Sequence, residues 1–105
     1  MRMPSDFTGK LQARSGLSVL DAELFAERAA SLGRTGRDVE LSLARLRAFD
    51  AGDAGQGDRR ELVREAARAV WAYWVQREAC GLVDHRQVIR EQRIPREVLN
   101  RVGVL

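Results

Sequence analysis

The chain is poor in the residues that build sheets, membrane spans and disulfides. Its 105 residues include one cysteine, two prolines, two threonines and two isoleucines. One cysteine closes no internal disulfide, which agrees with a reducing compartment. No apolar run approaches the ~18 residues of a membrane-spanning helix. The opening MRMPSDFTGK holds no apolar signal core. A cytoplasmic chain with no membrane contact is therefore expected. Lysine is nearly absent too, so seventeen of the eighteen cations are arginine.

What is abundant favours helix: alanine, leucine, arginine and glutamate dominate. At this length one domain with one modest core is expected. The net charge of +3 is unevenly placed, with three cations against one carboxylate in residues 1–16, ten against eleven in 17–83, and five against three in 84–105. Basic ends can assist binding to an anionic partner, although ordinary solvated charge is the plainer reading.

Residues 1–16, with Pro4, Gly9 and Gly16, read as a flexible N-terminal arm, and residues 17–105 as a single helical domain. Ser18 followed by Asp21 is a capping-box pattern for a helix from Val19 to Leu32, with Leu17 as a staple and Gly33 as its C′ residue. Its apolar face would be Leu17, Leu20, Leu24, Phe25 and Leu32. Thr35 followed by Asp38 suggests a second cap, for a helix from Gly36 to Phe49 with Val39, Leu43, Leu46 and Phe49 on one side and Leu41 on another. The short Gly33-Arg34-Thr35 connection predicts an antiparallel hairpin. Residues 51–57, AGDAGQG, form a loop whose spacing matches no phosphate-binding motif.

The stretch DRRELVREAARAVWAYWVQREACGL, Asp58–Leu82, carries both tryptophans, the only tyrosine and the only cysteine. It reads as a central helix capped by Asp58 and closed by Gly81 with a Schellman-type contact from Leu82. Asp84 and Gln87 suggest a short helix to Gln92, and Pro95 suits the first turn of a last helix from Arg96 to Val102. The expected fold is all-α: a helical hairpin, a long central helix and two short C-terminal helices.

At 100° per residue, Leu62, Tyr73, Ala66, Val70, Val63, Trp74, Ala67 and Trp71 spread over about 180° of the central helix, wider than the roughly 100° stripe of a surface helix. Such a helix needs cover from two sides. The hairpin supplies one, and the C-terminal helices or a second copy of the chain must supply the other. A homodimer through this aromatic helix is therefore expected. Arg77 and Glu78 fall inside the apolar arc and require partners. A structural ion-pair network is the plainer reading; a polar pocket beneath Tyr73 and Trp74 is the functional one. The candidate pocket or interface comprises Trp71, Tyr73, Trp74, Arg77, Glu78, Cys80, His85 and Arg86. Trp71 and Trp74 lie one turn apart and can pair with each other. Base stacking on them would require basic neighbours, and Arg64 and Arg68 are read as lying on the opposite side of the helix.

Cys80 near His85 could suggest a nucleophile and base, but the thiol ends one helix and the imidazole starts the next. One cysteine and one histidine do not fill a zinc shell. No catalytic residues and no cofactor are expected. The tail QVIREQRIPREVLNRVG has a helix–break–helix rhythm in which Arg90, Arg93, Arg96 and Arg101 could meet phosphates, as in a helix-turn-helix. Glu97 works against that, and Glu91, Gln92 and Arg93 stand where small residues usually lie.

The run AVWAYWVQREACGLVDHRQVIREQRIPREVLNRVG, with the upstream AASLGRTGRDVE, resembles a family of small bacterial proteins known only as a domain of unknown function. The resemblance covers most of residues 17–103. It implies a small soluble helical protein and carries no activity, cofactor or partner. The expected function is a non-catalytic, self-associating cytoplasmic module; the alternative is a small DNA-binding protein using the C-terminal segment.

Overall fold

The computed structural model describes residues 18–53 and 57–104, which form helices, turns and connecting loop without strands. The expected arm at residues 1–16 lies outside them. Helix α1 is Val19–Asp50, α2 is Arg59–Ala79, α3 is Arg86–Gln92 and α4 is Arg96–Leu99. The chain divides into two units, residues 1–30 and 31–105, with the boundary inside α1. The all-α expectation holds.

The expected hairpin does not form: α1 runs unbroken through Gly33-Arg34-Thr35-Gly36. Thr35 does not cap. Its hydroxyl donates to the carbonyls of Ser31 at 3.0 Å and Leu32 at 3.1 Å, the back-bonding of a threonine inside a helix. Each interior glycine costs ~1 kcal/mol relative to alanine. At Gly36 the missing side chain has a packing use, since a Cβ there would lie 3.4 Å from Cε1 of the Tyr73 ring. Gly36 is thus a seat for an aromatic ring of α2 rather than the start of a helix.

In residues 31–105 the buried apolar residues form one core cluster. Val39, Leu43 and Leu46 of α1, spaced i, i+4, i+7, are buried with Val63, Ala66, Ala67 and Val70 of α2. Val88 of α3, Ile94 of the following turn and Val98 of α4 complete the cluster. Burying a valine or leucine side chain contributes ~1.5–3 kcal/mol, so these few residues carry most of the fold's driving force. This chain thus covers Val63, Ala66, Ala67 and Val70 of α2, while Trp71 at the edge of the arc stays 53% exposed. Leu41 points away and is exposed, as its position on the helix requires.

The helix ends follow local chemistry. Asp58 accepts from the Arg60 amide at 3.0 Å. Past Cys80, Gly81 adopts φ 83°. Its amide donates to the Glu78 carbonyl at 3.0 Å and that of Leu82 to the Arg77 carbonyl at 2.8 Å, a complete Schellman motif. Arg93 ends α3 in the same left-handed region, at φ 51°, without the freedom of glycine. The Arg47 side chain steadies that turn by donating to the carbonyls of Gln92 at 2.7 Å and Arg93 at 3.2 Å. After Pro95, α4 makes one turn and gives way to turns through Gly103, shorter than the expected helix to Val102.

In residues 18–30, Ser18 and Asp21 form the expected capping box: Ser18 N–H donates to Asp21 Oδ2 at 3.0 Å and Asp21 N–H to Ser18 Oγ at 3.1 Å. Every residue from Val19 to Ala30 is exposed.

Two substitutions test the unbroken α1. Gly33→Ala should raise stability by up to ~1 kcal/mol, because a Cβ there meets only the mobile end of Arg37. Gly36→Leu should lower it, because the new side chain claims the space of the Tyr73 ring. Urea unfolding followed by circular dichroism reads both; loss of stability in Gly33→Ala would contradict a continuous helix.

Candidate functional site

The C-terminal third of α2 and the turn after it assemble the polar cluster that the sequence marks. The Schellman turn at Gly81 reverses the chain and returns His85 against Trp74. Their rings stack at 4.1 Å between centroids and 5° between planes. Arg77 Nε donates to His85 Nδ1 at 3.1 Å, and Arg77 Nη2 donates to the Asp84 carbonyl at 3.0 Å. His85 Nε2 lies 3.2 Å from Glu78 Oε2. Because Arg77 can only donate, Nδ1 must accept. In the neutral ring the proton therefore sits on Nε2 and points at Glu78. The Arg77 guanidinium also lies 5.7 Å from the centre of the Tyr73 ring, and Tyr73 and Trp74 sit 6.0 Å apart.

Arg77 and Glu78, the two charges within the apolar arc, thus find their partner in His85. Both ring nitrogens are engaged, so the imidazole offers no lone pair to a thiol, and Cys80 is exposed on the turn. Arg86 belongs to a separate pair: Asp84 accepts from its guanidinium at 2.8 Å and from its backbone amide at 3.1 Å. Gln87 does not return to Asp84; it donates to Glu91 at 2.7 Å.

The two tryptophans, which the spacing allows to pair, do not. Trp74 turns to Tyr73 and His85, whereas Trp71 stands on another face at 53% exposure. Trp71 borders a cleft of about 510 Å³ together with Arg64, Ala67, Arg68, Arg101, Gly103 and Val104. The reading of Arg64 and Arg68 as opposite to Trp71 is therefore overturned. Residues 64, 68 and 71 are spaced i, i+4, i+7 and share a face. Arg64 and Arg68 both hold Glu61, at 3.4 and 3.0 Å.

Of the other tail arginines, Arg90, Arg93 and Arg96 are exposed. Glu97, set against phosphate binding in the sequence, serves a different partner. Arg59 makes a double clamp, to Asp50 at 2.7 and 3.1 Å and to Glu97 at 2.8 and 2.6 Å, tying the end of α1, the start of α2 and α4 together. Sequence separation hid this clamp and the Arg47 cap alike.

These features define a small all-helical chain whose polar residues near the end of α2 are spent on one another. No helix among the described residues is long and apolar enough to cross a membrane. The chain belongs to a family of unknown function, DUF6665, whose model matches residues 1–105. No curated protein and no solved structure matches it.

Two expected outcomes follow. Arg77→Met removes the donor to His85 Nδ1 and to the Asp84 carbonyl and should cost ~1–3 kcal/mol in urea unfolding; unchanged stability would show that the cluster does not hold the turn. Acid should also destabilise the chain. Hydrogen bonds from Arg59 hold Asp50 and Glu97 below their ordinary values, Arg68 and Arg64 do the same to Glu61, and Arg86 holds Asp84 far below. The unfolded chain then binds more protons than the folded one as pH falls below about 4. The melting temperature should be flat with respect to these groups above that range and drop beneath it, less steeply in Arg59→Gln.

Proposed function

We propose that this chain is a non-catalytic cytoplasmic module that self-associates, and that the N-terminal part of α1 carries the contact. The supporting observation is the exposure of Val19, Leu20, Leu24 and Phe25 on a stretch where every residue from 19 to 30 is exposed. A helix segment of about twelve residues without a packed face is marginal in water. At 100° per residue, Leu20, Leu24, Phe25 and Leu32 fall on one side of α1.

A second copy of the chain suits this surface by charge. Residues 19–27 carry Asp21, Glu23 and Glu27 and no cation, while residues 28–37 carry Arg28, Arg34 and Arg37 and no carboxylate. Antiparallel pairing of two α1 helices sets three carboxylates of each copy against three guanidiniums of the other. Parallel pairing would set like against like. The proposed contact thus moves from the aromatic helix, where Tyr73 and Trp74 already have partners within the chain, to α1. The reading as cytoplasmic rests on the lone cysteine, and the reading as non-catalytic on the engagement of both His85 nitrogens.

Duplex DNA is the second reading, supported by the exposure of Arg90, Arg93, Arg96 and Arg101 in the C-terminal segment. Binding that falls steeply with salt would favour it, and absence of binding at low salt would remove it.

Sedimentation at micromolar concentration should show a dimer, twice the 11.8 kDa of the chain. Leu24→Glu should weaken association at least roughly tenfold without unfolding the chain. A monomer at all accessible concentrations would overturn the reading.

A further inference from the structure

We propose that the cleft beside Trp71 binds a nucleotide unit, with a base against the indole and a phosphate among Arg64, Arg68 and Arg101. The cleft lies outside the His85 cluster, and the self-association surface does not use it. Its lining contains three guanidiniums, one indole, the small or apolar Ala67, Gly103 and Val104, and no carboxylate. Its volume of about 510 Å³ lies within the range of small-ligand sites.

Each part of the cleft matches a part of the ligand. The exposed indole is the wall for a planar ring, because any base offers a π face to it. A simple inorganic anion would leave that wall unused. The C-terminal turn closes one edge of the indole: a Cβ on Gly103 would lie 3.6 Å from Trp71 Cδ1. The guanidiniums provide the charge. Glu61 engages Arg64 through Nη1 and Arg68 through Nη2. The remaining N–H groups of each fork are left for phosphate oxygens. Among the described residues Arg101 makes no ion pair, and it also lines the neighbouring cleft with Arg59, Arg60, Asn100 and Glu97. Past the indole the free positive charge among these residues is that of Arg101 and Arg60, because Arg59 is already held by Asp50 and Glu97. A second copy docking this same face would bring arginines against arginines.

A nucleotide unit reaches the cleft either as a free nucleotide or as part of a single strand. The test is titration of the full chain, at low salt, with ATP in one arm and a short thymidine oligonucleotide in the other, read by tryptophan fluorescence. Saturable quenching is expected in at least one arm. It should disappear in Trp71→Leu and weaken roughly tenfold or more in the Arg68→Gln/Arg101→Gln double variant. Both variants alter exposed side chains, and circular dichroism should show that they remain helical. Saturation by ATP identifies the free nucleotide as the source; saturation by the oligonucleotide alone identifies the strand. No saturable quenching in either arm, quenching that persists in Trp71→Leu, or unchanged affinity in the double variant would each overturn the proposal.

Discussion

The wide apolar arc of α2 is the constraint from which the rest of the structure follows. Its apolar positions from Leu62 to Trp71 spread over about 180°, and the buried part of that arc, Val63, Ala66, Ala67 and Val70, packs in one cluster with Val39, Leu43 and Leu46 of α1 and with Val88, Ile94 and Val98. To bring Val88, Ile94 and Val98 into that cluster the chain must reverse after α2. The left-handed turn at Gly81 makes the reversal, and a second left-handed turn at Arg93 delivers Ile94 and α4. The longer-range polar contacts serve this arrangement. The Arg59 clamp holds α4 to the ends of α1 and α2, and Arg47 steadies the Arg93 turn from α1.

The His85 cluster is a consequence of the same reversal. Near the end of this aromatic helix stand Arg77, half-buried, and Glu78, exposed. Returning His85 over Trp74 gives both charges a partner and leaves neither ring nitrogen free. Residues that look like a catalytic assortment in sequence are therefore held by one another. The Trp71 cleft is the converse case. It lies on the arginine-rich edge of α2, its indole is half exposed, and its guanidiniums outnumber the carboxylates around them.

Much of this could be read from the sequence where the chemistry is local. The Ser18–Asp21 box, the Asp58 cap and the Gly81–Leu82 closure depend on residues within five positions of one another, and they form as expected. The buried face of α1 and the outward Leu41 follow from helical spacing. The expected hairpin is replaced by a continuous helix although Gly33, Thr35 and Gly36 carry the local signature of a break. What overrides that signature is distant in sequence: the Tyr73 ring on Gly36, and the stripe that continues through Val39 and Leu43. Arg47 and Arg59 likewise reach partners 38 to 46 residues away, which no local pattern reveals. The reading of Arg64 and Arg68 as opposite to Trp71 fails against their own i, i+4, i+7 spacing, and Arg101 and Gly103 join them only through the fold.

The alternation of charge along α1 makes self-association a geometric claim as well as a stoichiometric one. It is tested most directly by distances between spin labels placed at Ala22 or at Ala30, with Cys80 replaced by serine. Antiparallel pairing of residues 19–37 centres near residue 28. At 1.5 Å of rise per residue the two Ala22 labels should then lie roughly 10 Å farther apart than the two Ala30 labels. Equal separations at the two positions would mean parallel pairing, and no dipolar coupling at either would mean that α1 does not bring two chains together; either result would contradict the proposed contact.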